Sequence, residues 1–204
     1  MSDHRHVLII FARVPEAGRV KTRLAAGIGD AAALDAYVVM ANHVIGRVRQ
    51  PATFSVEVAY APADGERAMQ GWLGTSVALH PQASGDLGAR MAAAIDRAIR
   101  GGADRVVIIG TDCPEISASV VEEAFANLAS SDLVLGPASD GGYYLIGMSS
   151  LHAALFEDVP WSSPETLRVT LDRGRTLGLT VHLLAERRDI DTVDDWLAWR
   201  AKTG

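Results

Sequence analysis

The sequence predicts an α/β protein built on a mostly parallel, doubly wound sheet with some antiparallel strands and with helices on both faces. Short apolar runs alternate with longer amphipathic stretches, which is the pattern of repeated strand–helix–strand units. The run at 105–109 is apolar without alternation, so we expect both of its faces to be buried, as in a parallel sheet. The strands predicted at 133–136 and 143–148 are joined by a link short enough for an antiparallel pair.

Strand and helix patterns account for most of the chain. Strands are predicted at 7–12, 54–61, 77–79, 105–109, 133–136, 143–148 and 180–184. Helices are predicted at 30–49, 87–100, 117–128, 164–177 and 193–202, with Pro164 in a first turn and Ser163 as the cap before it. The expected buried faces hold Leu34, Val38, Ala41 and Ile45 in one helix and Met91, Ala94, Ile95 and Ala98 in another. No linker divides the chain, so we expect a single domain over 1–204.

Composition excludes several classes of function. The chain has 204 residues, of which 49% are hydrophobic, and a formal net charge of −6. An acidic chain is a poor non-specific binder of nucleic acid or of anionic membranes. The first apolar run is much shorter than the roughly 20 residues that span a bilayer. Cys113 is the single cysteine, which excludes a disulfide framework and suits a reducing cytoplasm.

A basic loop follows the first predicted strand. Arg13, Arg19, Lys21 and Arg23 lie within a few residues of one another there, and Lys21-Thr22-Arg23 opens a short helix. Backbone N–H groups at a helix start and nearby cations favour a phosphate chain. The alternative is a solvated charged loop. The candidate phosphate-binding residues are Arg13, Gly18, Lys21, Thr22 and Arg23.

A carboxylate follows the most apolar strand, in Gly110-Thr111-Asp112-Cys113-Pro114. In doubly wound sheets ligands bind outside the carboxyl ends of the strands, so Asp112 is a candidate ligand for Mg²⁺ or Mn²⁺. The alternative is a turn or cap residue before Pro114. Cys113 is expected to be a semi-buried thiol and not a nucleophile.

Three further loops carry candidate residues. Asp140, Gly141 and Gly142 either let a ligand approach the backbone or form a plain hairpin turn. Gly85 and Asp86 either touch the base, sugar or phosphates of a nucleotide or, more simply, Asp86 caps the helix that follows.

A pair of acidic residues near the end of the chain is a further candidate. Asp189 and Asp191 share one side of an extended segment before a helix that starts near Thr192. Either of them can complete a metal site begun by Asp112.

Several motifs together resemble a bacterial family of candidate glycosyltransferases of unknown function. The family belongs to the nucleotide-diphospho-sugar transferase superfamily and is similar to the guanylyltransferases and cytidylyltransferases of cofactor synthesis. The motifs are Phe11-Ala12-Arg13-x-Pro15-x-x-Gly18-x-x-Lys21-Thr22-Arg23-Leu24, Gly110-Thr111-Asp112-Cys113-Pro114, Gly136-Pro137-Ala138-x-Asp140-Gly141-Gly142-Tyr143-Tyr144, Val159-Pro160-Trp161-Ser162 and Asp189-Ile190-Asp191-Thr192. They span nearly the whole chain.

The resemblance implies a three-layer, Rossmann-like GT-A type fold and a metal site. It implies that Asp112 and Asp191 bind the metal and that Lys21 and Arg23 bind phosphates, with Lys21 and Asp112 as the catalytic pair. Ordinary glycosyltransferases carry Asp-x-Asp at the metal strand, whereas Cys113-Pro114 follows Asp112 here. That departure counts against ordinary glycosyl transfer.

The function expected from these observations is metal-dependent transfer on a nucleotide. Nucleotidyl transfer comes first, with a nucleoside triphosphate, a phosphorylated or hydroxy-acid acceptor and pyrophosphate as the leaving group. The alternatives are glycosyl transfer from a nucleotide-sugar and a non-catalytic nucleotide-binding module. The expected partners are a nucleotide or nucleotide-sugar and a small-molecule acceptor, without nucleic acid or membrane, and a homodimer is left open. No residue pattern identifies the nucleobase.

Overall fold

The computed structural model describes residues 5–49 and 53–203 and contains one sheet in the order β3-β2-β1-β4-β6-β5-β7. The strands are β1 (His6–Arg13), β2 (Ser55–Ala61), β3 (Ala78–Pro81), β4 (Arg105–Ile109), β5 (Leu133–Pro137), β6 (Tyr143–Met148) and β7 (Val181–Leu183). The helices are α1 (Thr22–Ile28), α2 (Asp30–Val48), α3 (Glu66–Leu73), α4 (Leu87–Arg100), α5 (Ala118–Asn127), α6 (Thr166–Thr176) and α7 (Val193–Thr203), with a 3₁₀ helix at Ala153–Phe156.

The sheet is mostly parallel, as the sequence predicts. Strand β1 pairs in parallel with β2 and β4, β2 with β3, and β5 with β7. Strand β6 is antiparallel to both of its neighbours, β4 and β5. It enters the sheet between them because the short link after β5 turns the chain straight back.

Both faces of the sheet are covered by helices. Along β4, Val107 and Ile109 belong to the core under α2 and α5, whereas Val106 and Ile108 belong to the core under α4. All four side chains are at most 4% exposed. A strand buried on both faces needs apolar residues at every position, which explains its unbroken apolar run. The prediction of a three-layer α/β fold is confirmed.

The buried face predicted for α2 is confirmed in part. Ala41 and Ile45 are buried as predicted, whereas Leu34 and Val38 are only partly buried. The centre of the face also holds Tyr37, Met40 and Val44, which the prediction left out. The helix is largely apolar around its circumference, so periodicity alone did not fix which stripe meets the sheet. The face predicted for α4 is confirmed at Met91, Ile95 and Ala98, whereas Ala94 is only partly buried.

Helix α6 begins later than the sequence predicts. Ser163 and Pro164 form a turn, in which the Ser163 hydroxyl accepts a hydrogen bond from the Glu165 N–H at 3.2 Å. The helix starts at Thr166, whose hydroxyl donates to the Pro160 carbonyl at 2.8 Å.

Two helices have no counterpart among the predictions. Helix α3 is short and buries only Met69, so its pattern carries no clear apolar stripe. The 3₁₀ helix has four residues, too few for a periodic signal.

Within 5–49 and 53–203, no helix is long and apolar enough to cross a membrane.

The loop between β5 and β6 is closely packed against the start of α6. Gly141 has φ +89°, and a Cβ atom there would lie 2.2 Å from the carbonyl oxygen of Pro164. The Gly141 carbonyl also accepts a hydrogen bond from the Leu167 N–H at 2.9 Å. This position therefore requires glycine both for its backbone conformation and for space.

We expect Gly141→Ala to lower the free energy of unfolding by roughly 3 kcal/mol or more, because strain adds to a backbone overlap. Gly178→Ala is the matched control: Gly178 has φ +71° with nothing within 4 Å of the added Cβ, so only the conformational cost of roughly 1–2 kcal/mol applies. Urea denaturation of both variants measures the difference. Equal losses would show that the Pro164 contact does not constrain the loop.

Candidate active site

A cavity of about 430 Å³ opens at the carboxyl ends of β1 and β4. Loops from three distant parts of the chain meet there: the basic loop after β1, the loop after β4 and the segment before α7. The predicted site residues that line it are Arg13, Lys21, Thr22, Arg23, Asp112 and Asp191. Residues far apart in sequence therefore converge at one edge of the sheet, where doubly wound folds bind ligands.

The Lys21 ammonium lies between two carboxylates. Its Nζ atom is 3.0 Å from Asp112 Oδ1 and 3.1 Å from Asp191 Oδ1, and it also donates to the carbonyl oxygen of Ile190. The Lys21 side chain is only 5% exposed. Burial lowers the pKa of Lys21, but the charges of Asp112 and Asp191 outweigh burial and hold that pKa above its usual range. The ammonium is therefore charged at neutral pH.

The segment before α7 is fixed to the loop after β4 through the backbone. The Ile190 N–H donates to the Asp112 carbonyl at 2.8 Å. Arg23 lies at the rim, with its guanidinium 3.4 Å from Asp191 Oδ2 and its side chain 69% exposed. Asp191 thus faces the cavity with one oxygen on Lys21 and the other on Arg23.

A reciprocal cap holds Asp191 in place at the start of α7. Asp195 Oδ2 accepts hydrogen bonds from the Thr192 N–H at 3.0 Å and the Thr192 hydroxyl at 2.7 Å, and the Asp195 N–H donates to that hydroxyl at 3.2 Å. This is the capping-box pattern with aspartate at its last position. The prediction that the helix starts near Thr192 is confirmed.

Tyr37 is a site residue that the sequence analysis missed. Its hydroxyl accepts from the Arg13 N–H at 2.8 Å and donates to the Arg13 carbonyl at 2.9 Å, so it fixes the end of β1 where the basic loop begins. Burial raises the pKa of Tyr37 to about 12, so the hydroxyl stays protonated. In the sequence, Tyr37 looks like one more apolar position of a buried helix, and no local signal separates it from the core.

Asp189 also lines the cavity. Its Oδ1 atom is buried and has no hydrogen-bond partner among the described residues. Burial is the main cause that raises the pKa of Asp189 to about 7; Asp112, Asp140 and Asp191 raise it further, and Lys21 opposes them. The sequence pattern had offered Asp189 and Asp191 as equals, and only the structure shows that both face the cavity.

Asp140, Gly141 and Gly142 form a tight turn beside the cavity and do not line it. Asp140 Oδ1 accepts from the Gly142 N–H at 2.9 Å, and the Ala138 N–H donates to the Gly142 carbonyl at 3.0 Å. The structural reading of the pattern as a hairpin turn is thus sufficient to explain it. A role in ligand binding stays a prediction.

Gly18, Gly85 and Asp86 also lie outside the cavity lining. Gly18 has φ +76° in a turn closed by a hydrogen bond from the Arg19 N–H to the Glu16 carbonyl at 3.1 Å. Asp86 Oδ1 accepts from the Ala89 N–H at 2.8 Å and so caps α4, which confirms the simpler of its two interpretations. Contact of these residues with a nucleotide stays a prediction.

A second cavity of about 320 Å³ adjoins the first and shares Arg13 with it. Arg19, Gln82, Ser84 and Arg90 line it, from the basic loop, the loop after β3 and the start of α4. Arg13 therefore has one cavity on either side of it.

Part of the lining of the first cavity is apolar. Phe11, Leu87, Met91 and Tyr143 belong to this part, and Leu87 is 40% exposed although it is a large hydrophobic residue. Cys113 also lines the cavity and belongs to the core under α2 and α5; at 1% exposure it is more deeply buried than the semi-buried thiol predicted from the sequence. Burial raises the pKa of Cys113 to about 12, which disfavours the thiolate that a nucleophile requires.

A family model described as an uncharacterized protein conserved in bacteria (DUF2064) matches residues 44–163, more than half of the chain. The chain belongs to the DUF2064 family. A second comparison agrees: a protein from Desulfovibrio desulfuricans G20, named provisionally as a nucleotide-diphospho-sugar transferase, is 30% identical to this DUF2064 chain. The match covers 98% of this chain and 89% of that one, with a TM-score of 0.92. No curated protein matches the chain.

More distant structures share the fold. The structure of CMP:2-keto-3-deoxy-manno-octonic acid synthetase complexed with CTP is 16% identical and has a TM-score of 0.63, with 98% of both chains covered. Rv0371c from Mycobacterium tuberculosis H37Rv, in complex with manganese, is 17% identical and has a TM-score of 0.58, with 95% of this chain and 97% of that one covered. The DUF2064 chain therefore has the nucleotide-diphospho-sugar transferase fold.

Asp189 makes the stability of this DUF2064 protein depend on pH. Its folded-state pKa of about 7 lies above that of an unfolded aspartate, so the folded state binds more protons between roughly pH 4 and pH 7 and loses stability as the pH rises through that window. We expect Asp189→Asn to be more stable than the wild type at about pH 8, on the order of 2 kcal/mol, with the gain vanishing near pH 4.

Urea denaturation at several pH values measures this gain. Glu186→Gln, which removes an exposed carboxylate three positions earlier, is the matched control and should change little. A gain for Asp189→Asn that is the same at every pH would contradict the assignment of the raised pKa to Asp189.

Proposed function

We propose that this protein is a metal-dependent nucleotidyltransferase. An oxygen of a small-molecule acceptor attacks the α-phosphorus of a nucleoside triphosphate. The bond from that phosphorus to the bridging oxygen of the β-phosphate breaks, and pyrophosphate leaves with the bonding electrons. A hydroxyl acceptor gives up its proton to the solvent, whereas the phosphate oxygen of a phosphorylated acceptor carries none. The observation that carries the proposal is the meeting of the basic loop with Asp112 and Asp191 at one cavity.

The basic loop suits a leaving pyrophosphate. Arg13, Lys21 and Arg23 line one side of the cavity, in a chain whose net charge is −6. Charge builds up on the leaving group during phosphoryl transfer, and fixed cations stabilise that charge without reorganisation. The backbone at the start of α1 adds N–H groups near the same place.

Asp112 and Asp191 fit a divalent metal. One oxygen of each lies within 3.1 Å of a single point, the Lys21 Nζ atom, so the two can approach one cation together. No third His, Cys, Asp or Glu joins a metal-binding group among the residues that the structure describes. Two carboxylates with substrate phosphates and water are the usual ligands of Mg²⁺, and Mn²⁺ accepts the same oxygens. When bound, the metal supplies charge neutralisation of the phosphates.

The two cavities suit the two substrates. The second cavity lies beyond Arg13 and is lined by Gln82, Ser84 and Arg90, which can hydrogen-bond the nucleoside of the triphosphate. Phe11, Leu87 and Tyr143 line the same cavity as the carboxylates and offer an apolar surface to the acceptor.

Glycosyl transfer is the second candidate, and one observation favours it. The 30% identical relative is named provisionally as a nucleotide-diphospho-sugar transferase. The same carboxylates and cations can hold the diphosphate of a nucleotide-sugar. The two activities differ in the ligand that the site prefers.

Thermal unfolding with a panel of nucleoside triphosphates and nucleotide-sugars, each with and without Mg²⁺, tests the proposal. A ligand that binds only the folded state raises the Tm. We expect a Mg²⁺-dependent rise with one triphosphate, and pyrophosphate release when acceptors are supplied. Asp112→Asn should remove the Mg²⁺ dependence and slow transfer on the order of 10²-fold or more. Asp158→Asn, whose side chain is 97% exposed, is the matched control and should change neither.

Each outcome of the panel decides between the candidates. A rise confined to one nucleotide-sugar would assign glycosyl transfer. A Mg²⁺-dependent rise without turnover of any acceptor would leave a nucleotide-binding module. No rise with any nucleotide would overturn the proposal.

A further inference from the structure

We propose that Lys21 is the cation that Asp112 and Asp191 exchange for the divalent metal, so that metal binds tightly only together with a polyphosphate. The inference rests on the proposed metal site and deepens the proposed function, because it states how metal and nucleotide binding are coupled. Lys21 acts here as a positioning residue, and its ammonium and the metal are alternative partners of the same two carboxylates.

The contacts of Lys21 already fulfil what a bound cation requires. An ammonium has three N–H donors, and the Lys21 Nζ atom has three acceptors: Asp112 Oδ1 at 3.0 Å, Asp191 Oδ1 at 3.1 Å and the carbonyl of Ile190. All of them are oxygen atoms, the ligands that a hard divalent cation also prefers. Lys21 therefore lies in the position that brings both carboxylates to one centre.

The sequence uses lysine at this place and almost nowhere else. Lys21 and Lys202 are the only lysines among 19 basic residues. Arginine occupies the neighbouring cationic positions of the same loop, at 13, 19 and 23. An ammonium is a compact point charge on a flexible stem, whereas a guanidinium is a planar fork with fixed directions. Only the ammonium can take a position between two carboxylates and then move to another oxygen ligand without a change in binding geometry.

The backbone conformation of Lys21 is rare for its residue type. Lys21 has φ 48° and ψ 47°, a left-handed conformation that residues with a Cβ atom seldom adopt, at the first residue before α1. The contacts of its side chain with Asp112 and Asp191 offset the cost of this conformation. A residue kept in so unfavourable a conformation at a candidate site indicates a functional role.

A divalent metal and the Lys21 ammonium cannot both bind the same two carboxylates without weakening each other's binding. A divalent ion beside the Lys21 ammonium would place like charges a few ångströms apart in a partly buried site. Polyphosphate oxygens offer the ammonium new acceptors, next to Arg13 and Arg23 on the same cavity wall. Each ligand thus favours binding of the other, which is a positive and reciprocal coupling.

Mn²⁺ binding to the nucleotide-free protein tests the exchange directly, measured by electron paramagnetic resonance of free Mn²⁺. We expect Lys21→Met to bind Mn²⁺ about 10-fold tighter than the wild type, since the competing charge is gone. Arg19→Gln is the matched control: it removes one positive charge from the same loop, but Arg19 is 65% exposed and pairs with Glu16. If Lys21→Met bound Mn²⁺ no more tightly than Arg19→Gln does, the inference would be overturned.

A second measurement uses the wild-type protein, in case Lys21→Met fails to fold. With ¹⁵N-lysine labelling, Lys202 is an exposed internal reference for the Nζ signal of Lys21. Both samples contain the same Mg²⁺ concentration, chosen so that it occupies the site when tripolyphosphate is present. We expect Mg²⁺ alone to leave the Lys21 signal unchanged. Mg²⁺ with tripolyphosphate should move it. A signal that moves with Mg²⁺ alone, or that does not move with both, would contradict the exchange.

The two proposals fail in distinguishable ways. Tight Mn²⁺ binding by Lys21→Met, together with no nucleotide turnover by the wild type, would leave the exchange standing and remove nucleotidyl transfer. Nucleotide turnover by the wild type, together with equal Mn²⁺ affinities for Lys21→Met and the wild type, would overturn the exchange and leave nucleotidyl transfer standing.

Discussion

The contact of the Lys21 ammonium with Asp112 and Asp191 is the interaction on which the candidate active site depends. It joins three segments that the sheet alone does not connect, and Lys21 and Asp191 are 170 residues apart. Two carboxylates brought this close repel each other unless a cation lies between them. A positive charge at this position, whether it belongs to the protein or to a ligand, therefore stabilises the close approach of the two carboxylates.

The fold supports this contact through rigid strands. Strands β1 and β4 are adjacent, parallel and buried, so their carboxyl ends lie side by side and present Arg13 and Asp112 at one edge. The third segment reaches the same edge by backbone pairing. Arg187 pairs with Ala138 beyond the end of β5, and the Ile190 N–H then bonds to the Asp112 carbonyl. The capped start of α7 holds the last part of the segment. Each carboxylate of the site therefore lies in or beside a segment that hydrogen bonds hold in place.

Positive and negative side chains are equally numerous at the cavity, although the whole chain has a net charge of −6. Three cations of the basic loop face three carboxylates there. One of these carboxylates, Asp189, has its pKa raised to about 7 by burial and by its acidic neighbours. The carboxylates of the site gain from a divalent cation, and the cations of the loop gain from a phosphate chain.

The sequence alone determined the features that depend on neighbouring residues. Strands β4 and β6 have the predicted bounds, Asp86 caps α4, and Thr192 starts α7, because periodicity and capping are local properties. The position of Asp112 at the end of a buried strand followed from the apolar run before it. The tertiary structure decided which stripe of α2 is buried, that Tyr37 fixes Arg13, and that both Asp189 and Asp191 face the cavity. It also placed Lys21 between its two carboxylates. These features depend on strand order and on contacts between distant segments, which no local pattern of side chains encodes.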